Sequence, residues 1–549
     1  MKKFLVILLF LVTFASVGTV EASAVVNEIV KVGIKYGNDA LFSANLENEV
    51  GGGYSFGYYD DERSFVTLGT TPKTKISMTA AGTIYLKSDK TYSDSSKGSV
   101  DAIGGWHIQL KTIYASAEEA AAAAASVEGY PAYIGGELRV RVGCYMDEDA
   151  AKAALRASGL EGTVVNGSGT GVIVTVSKST KVLFEFDCQG KRSLGVLPNG
   201  GSRKAVTWFK GYKYYGGFEY NRAVGGKIDV VNVLHEDDYL KGVVPYEMSG
   251  TWPLAALEAQ AVCARSYIYG NIGHMRTYGF DVCNTADCQV YYGLGNSQKG
   301  PSNNSDLAVE NTSGMCMYVD GKAIIAVYHS SNGGATENSE NVWVTAQSHL
   351  VGKEDPYEAT VKIPNYEYTV TYTPKELTWV LQNSGYDIGN VCNVYVSEYT
   401  PMGNVREVTV VDTDGDTLVV KGSKASYLFY SATYDKEVKS MRFRISGGAP
   451  TAFYINDIAT TVSSVAGLSV ISGDGSVSSC AVESPVVITA DGTEALTPEI
   501  PKAPDQFVIT GTGSGHNVGM SQHGARAMAL LGMSYQDILN FYYTGITIE

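Results

Sequence analysis

Val30, Val32 and Ile34 alternate with Lys31, Gly33 and Lys35, the period of two expected of a strand with one buried face. The whole of 28–100 reads as strands and turns, with loops at 51–53 and 88–97. At Trp106 the pattern changes. A strand over 106–110 is followed by an Ala-rich helix over 115–125, a short strand at 133–134, a Gly135-Gly136 turn and a strand over 138–143. A second helix over 147–155 follows, with Asp147 placed to cap it. Strand, helix, strand, strand, helix, strand predicts a small α+β sheet whose two halves repeat. Strands resume over 172–186, 205–209, 214–220 and 227–234, and 235–240 reads as a short helical turn. A clear helix comes next: Thr251 is an N-cap, Pro253 lies in the first turn, and Leu257, Ala261, Ala264 and Ile268 form one apolar stripe. Towards the end, 525–531 is helical and stops at Gly532. Ser534 then caps another helix with Asp537 three residues on. Between these parts, 446–504 is rich in Ser, Thr and Gly with period-two apolar positions, a β-rich insertion closed by Pro501 and Pro504. The predicted fold class is α+β and strand-rich.

The first residues change the picture of where the chain works. Lys2 and Lys3, an apolar run over 4–14 and the small-x-small site Ala22-Ser23-Ala24 read as a signal peptide over 1–24. The expected location is exported, in the cell wall or outside the cell; if the signal is not cleaved, 4–20 acts as an anchor, although a spanning helix wants about 20 apolar residues. The length of 549 residues suggests about three or four units. A formal net charge of −15 argues against nucleic acid and anionic lipid as partners, since both require a basic footprint. A sugar polymer suits this balance, and 37 Tyr offer apolar faces with hydrogen-bonding tips, although Tyr is also a good strand former. Six of the eight cysteines are scattered singly, which speaks against a dense disulfide framework.

Candidate chemistry centres on Glu247. It precedes the clear helix among Val, Pro, Tyr, Met and Trp, where an apolar setting disfavours the charged carboxylate and raises its pKa towards general-acid use. A single Glu before a helix is also an ordinary capping or solvated residue. Cys283 and Cys288, with His274 upstream, offer thiolate and imidazole ligands that suit zinc; a local disulfide or two ordinary thiols are the alternatives. Tyr328, His329, Ser330, Ser331 and Asn332 precede Gly333-Gly334, a turn that would let backbone approach a sugar. His516, Gln522 and His523 follow a Gly511, Gly513, Gly515 loop.

Two resemblances then organise these residues. "WHIQL…AEEAAAAAASV…PAYIGGELRVRVGCYMDEDAAKAAL" resembles the SPOR pattern, which implies a glycan-binding domain over 103–165 for strands stripped of stem peptides. "NVLHEDDYLKGVVPYEMSGTWPLAALEAQAVCARSYIYG", "FDVCNTADCQVYYG", "AVYHSSNGGATENSENVW" and "GTGSGHNVGMSQHGARAMALLGMSYQDILNFYYTGI" resemble, in order, the SpoIID/LytB family. That resemblance implies a SpoIID-like unit starting over 28–100, interrupted by the SPOR-like domain, continuing as a catalytic core over 171–446, interrupted again over 447–504 and completed by 505–549. It implies a lytic transglycosylase acting on denuded peptidoglycan, with Glu247 catalytic and Gln289, Tyr291, Tyr328, Ser330, Ser331, His516 and Gln522 binding substrate. It also implies a structural zinc site of His274, Cys283, Asp287 and Cys288; Asp287 stands where relatives carry His. An amidase acting beforehand is the implied partner, and a non-catalytic modifier that stimulates an amidase is the rival reading. One acid suffices for the first reading. Ordinary glycosidases use two carboxylates, whereas attack by the sugar's own C6 hydroxyl lets one group act as acid and then base. A strand binder joined to a strand cleaver would also raise local substrate concentration.

Overall fold

The computed structural model describes residues 28–271, 276–296, 299–448 and 503–549, together with short pieces within 449–502. The expected signal peptide and His274 therefore lie outside the described residues. No helix among those described is long and apolar enough to cross a membrane.

Two sheets and a helix share the main core. A seven-stranded sheet is built around Ile29–Lys35, which pairs antiparallel with Ile228–His235. Val30, Val32 and Ile34 point inward from it, as their alternation predicts, to meet Leu46, Met78, Val174 and Phe184 of a ten-stranded sheet. The helix Leu254–Gly270 packs into the same core through Leu257, Ala261, Ala264 and Ile268. It begins later than the sequence suggests. Its N-cap is Pro253 with no side-chain hydrogen bond, and Thr251 instead meets Ser249 at 2.9 Å. A proline disfavours helical geometry in the residue before it, which excludes Trp252 and Thr251 from the first turn.

Residues 106–166 form the predicted strand–helix–strand–strand–helix–strand unit. The helices are Ala117–Ser126 and Glu148–Ser158, the latter capped by Asp147, which accepts from Ala150 N at 2.8 Å. The two ends of the unit are adjacent, since Gly167 N donates to Gly105 O at 2.7 Å. The unit is fused to its host: strand Tyr130–Ile134 pairs parallel with Val182–Asp187, so one sheet runs through both. Arg141 of the unit and Glu185 of the host, both buried, form an ion pair across this seam.

A second core gathers Val370, Leu377, Leu381, Val394, Val408, Phe429 and Phe443. Strand Phe507–Thr512 returns from the far side of 447–504 to lie between Glu367–Tyr372 and Phe443–Ser446. Within 449–502 the described strands form short antiparallel pairs, such as Val486–Thr489 with Gly492–Ala495. The architecture is mixed α+β and strand-rich.

Candidate functional site

Glu247 ends the helical turn Val244–Glu247, which Pro245 starts and which Met248 stops by turning extended. The side chain is half-buried at the wall of a cleft of about 490 Å³ lined by Pro245–Gly250, Lys299 and Gly300, with Glu247 the one acid in that lining. Val290 N donates to Oε1 at 3.2 Å, and Gln522 Nε2 donates to Oε2 at 3.3 Å. No ion pair reaches Glu247 among the described residues. Burial raises its pKa above the ordinary carboxylate value, opposed by the Val290 N–H, the Gln522 amide, the Tyr328 hydroxyl and the more distant Lys299 charge. A carboxyl held from both oxygens, its charged form disfavoured by burial, is suited to giving and taking a proton at a fixed place.

Three elements supply its neighbours. Strand Tyr328–His329 runs parallel to Met520–Ser521, and Ser521 caps the helix Gln522–Leu530 by accepting from Gly524 N at 3.0 Å. That helix starts three residues before the expected Ala525, because Ser521 supplies the cap. Its first residue is therefore Gln522, whose Nε2 is shared between Glu247 and Gln260 Oε1 of the long helix, each at 3.3 Å. Tyr328 lies beside the Glu247 carboxyl but makes no hydrogen bond of ordinary geometry through its hydroxyl. On the other side of Glu247, Tyr246 packs edge-on to Tyr292, which stacks on Tyr212, and the Lys299 ammonium sits 4.8 Å from the Tyr246 ring centre.

The other expected site residues separate into groups. Gln522 and Tyr328 meet Glu247. His516 stands behind them, its Nε2 hydrogen-bonded to Tyr328 O at 3.0 Å and its Nδ1 accepting from Val518 N at 3.1 Å. Burial holds its pKa down at about 4, so it is a neutral imidazole that fixes the Tyr328 backbone. Ser330 is half-buried and accepts from His523 N at 3.0 Å through its carbonyl. Gln289, Tyr291 and Ser331 are placed in the interior, at odds with the expected substrate contacts. Gln289 accepts from Tyr239 Oη and donates to Ala264 O, Tyr291 donates to Asn232 Oδ1 at 2.7 Å, and Ser331 donates to Glu358 at 2.9 Å. The Gly333 turn is likewise internal: a Cβ there would sit 2.6 Å from Thr512 O, and its φ of 72° favours glycine.

Glu358 was not evident from the sequence. It is 1% exposed and accepts from Ser331 Oγ, Asn332 N, Gly333 N and the Ser521 hydroxyl, so one carboxylate ties the 330–333 turn to the cap of the Gln522 helix. Gln260 and Val290 also escaped notice, one as an interior helix residue and the other because it acts through its backbone.

Cys283 and Cys288 are adjacent free thiols, Cys283 N donating to Cys288 Sγ at 3.3 Å. The disulfide alternative is not formed. A separate thiol–thiol contact pulls the Cys283 pKa down to about 6 and pushes Cys288 up, the latter opposed by the Cys283 N–H. Asp287 is exposed beside Thr285, and among the described residues no three His, Cys, Asp or Glu side chains converge as a metal site.

Residues 224–318, which carry Glu247, Val290 and the long helix, match the family model described as SpoIID, Stage II sporulation protein. An amidase enhancer of Bacillus subtilis is 30% identical over 316 residues, covering 56% of this chain and 40% of that protein. Stage II sporulation protein D of the same organism is 26% identical over 324 residues, 57% of this chain and 74% of that protein. A protein of Brachyspira hyodysenteriae is 29% identical over 339 residues, 62% of this chain and 73% of its own length. The chain is thus similar over residues 224–318 to the SpoIID family, and over more than half of its length to an amidase enhancer and to a Stage II sporulation protein D. It spans less than half the length of the amidase enhancer it matches.

Proposed function

We propose that this chain is an exported cell-wall protein that cleaves peptidoglycan glycan strands stripped of their stem peptides, as a lytic transglycosylase. The observation that carries the reading is Glu247: among the described residues, a half-buried carboxyl without an ion-pair partner, held at both oxygens and with no second acid lining its cleft. Protonated Glu247 gives its proton to the glycosidic oxygen as the anomeric C–O bond breaks. The resulting carboxylate takes the proton of the muramic C6 hydroxyl as that oxygen bonds to the anomeric carbon, leaving an anhydro end. Val290 N–H and the Gln522 amide steady the carboxylate between the two steps.

Residues 106–166 act in this reading as the SPOR-like binder of denuded strands. Gln109 pairs in register with both Arg141 and Thr163, which puts these polar side chains on one face of the sheet. Zinc fits the site only in part. Cys283 and Cys288 would hold it, with His274 and Asp287 as the remaining candidates, and the metal would brace the strand Val282–Cys283 structurally.

A second reading is favoured by the relative named amidase enhancer: a wall-bound modifier that stimulates a peptidoglycan amidase. Purified strands with and without stem peptides, incubated with wild type and Glu247→Ala, separate the two. Anhydro ends from denuded strands, lost in the variant, support the enzyme. Intact glycan together with faster peptide release by an added amidase supports the modifier.

A further inference from the structure

One part-exposed aromatic side chain near the Glu247 site is not used by the proposed reaction. Trp343 ends the helical turn Ser339–Trp343, is 39% exposed, and packs its ring 4.8 Å from His516 at 54°. Through His516 it is two side chains from the carboxyl, because His516 holds the Tyr328 backbone and Tyr328 lies beside Glu247. Val344 follows at φ 81° and ψ −41°, 90% exposed, an unfavourable conformation for a β-branched residue. Such strain persists only where the surroundings over-determine it, and it clusters at ligand-contacting sites.

The surroundings here do over-determine it. Glu337, 2% exposed, accepts from Asn341 Nδ2 at 2.8 Å, Thr400 Oγ1 at 2.6 Å and Asn404 Nδ2 at 2.9 Å. Gln347 N donates to Ser339 Oγ at 2.8 Å, and Ser423 N to Val342 O at 3.2 Å. An aromatic ring fixed this firmly loses little freedom on binding, and its apolar face matches the C–H face of a pyranose.

We infer that Trp343 is a sugar-stacking subsite for the glycan strand, engaging rings displaced from the bond held at Glu247. This rests on the proposed glycan-cleaving function. In the full chain, Trp343→Ala should raise KM on long denuded strands roughly tenfold, the scale of one lost stacking contact, with kcat unchanged. Its rate on the shortest cleavable oligosaccharide should match wild type, and Trp343→Phe should retain most of the affinity for long strands. Unchanged KM for the Ala variant on long strands would overturn the inference. So would an equal loss at every length, which marks a purely structural role. If the wild type cuts nothing, the proposed reaction fails, and binding to denuded strands decides the subsite separately. Weaker retention by Trp343→Ala than by wild type and Trp343→Phe supports it; equal retention rejects it.

Discussion

The proton affinity of Glu247 reflects opposing influences at one residue. Burial raises its pKa, while Val290, Gln522 and Tyr328 oppose that rise. Removing the Gln522 donor leaves burial less opposed. Gln522→Leu should therefore move the limb of the pH–rate profile governed by Glu247 to higher pH; an unmoved limb would contradict the assigned contact. His516 titrates in the opposite sense. Burial lowers its folded pKa to about 4, whereas the unfolded chain protonates it at an ordinary value near 6.5. Between those values the unfolded state binds more protons, so this group's effect is to lower stability as pH falls from about 6.5 towards 4. Wild type should lose more Tm between pH 7 and pH 5 than His516→Gln, as thermal denaturation at the two pH values would report. Glu247 stood out in the sequence through the family-like pattern around it, since an acid before a helix is by itself ordinary. Val290 did not, because a backbone N–H carries no side-chain signature.

At the scale of elements, the site depends on how a turn and a helix start are pinned together. Glu358 accepts from the 330–333 turn and from Ser521, the cap of the Gln522 helix. Glu358→Ala strands those buried donors, each costing about 1–3 kcal/mol when left unsatisfied. The denaturant midpoint should fall clearly, and the helix carrying Gln522 should lose its register with Glu247. A midpoint equal to wild type would show that the clamp is dispensable. The sequence displayed the pieces "HSSNGG" and "KEDPYEAT", but their meeting is a tertiary event across which no local period runs. The same reason hides the internal partners of Ser331, Gln289 and Tyr291. Polar or phenolic residues in a sugar-like motif look like ligand contacts until their partners are seen to be internal. Helix starts failed differently: Pro253 displaced one cap and Ser521 supplied another, both local effects that a stripe of apolar residues does not reveal.

For the whole molecule, the strand-rich α+β architecture was readable from periodicity, as were the elements of 106–166. Their fusion to the host sheet was not. It rests on strand Tyr130–Ile134 finding Val182–Asp187 and on Arg141 meeting Glu185. Deleting 106–166 leaves neighbouring ends but removes Arg141 from a carboxylate that is 0% exposed. Breaking a buried pair costs about 3–5 kcal/mol, so the deletion should be markedly less stable than the full chain, and adding Glu185→Val should recover part of the loss in a denaturant titration. No recovery would mean that the ion pair is not what joins the unit to its host.

The central claim is that one carboxyl cleaves the strand by using the sugar's own hydroxyl. The most direct measurement is digestion of denuded strands in isotopically heavy-oxygen water, with mass analysis of the new ends. The account predicts anhydro ends carrying no solvent oxygen, formed by wild type and abolished in Glu247→Gln. Solvent oxygen incorporated at the new reducing ends, or cleavage that survives in the variant, would contradict it.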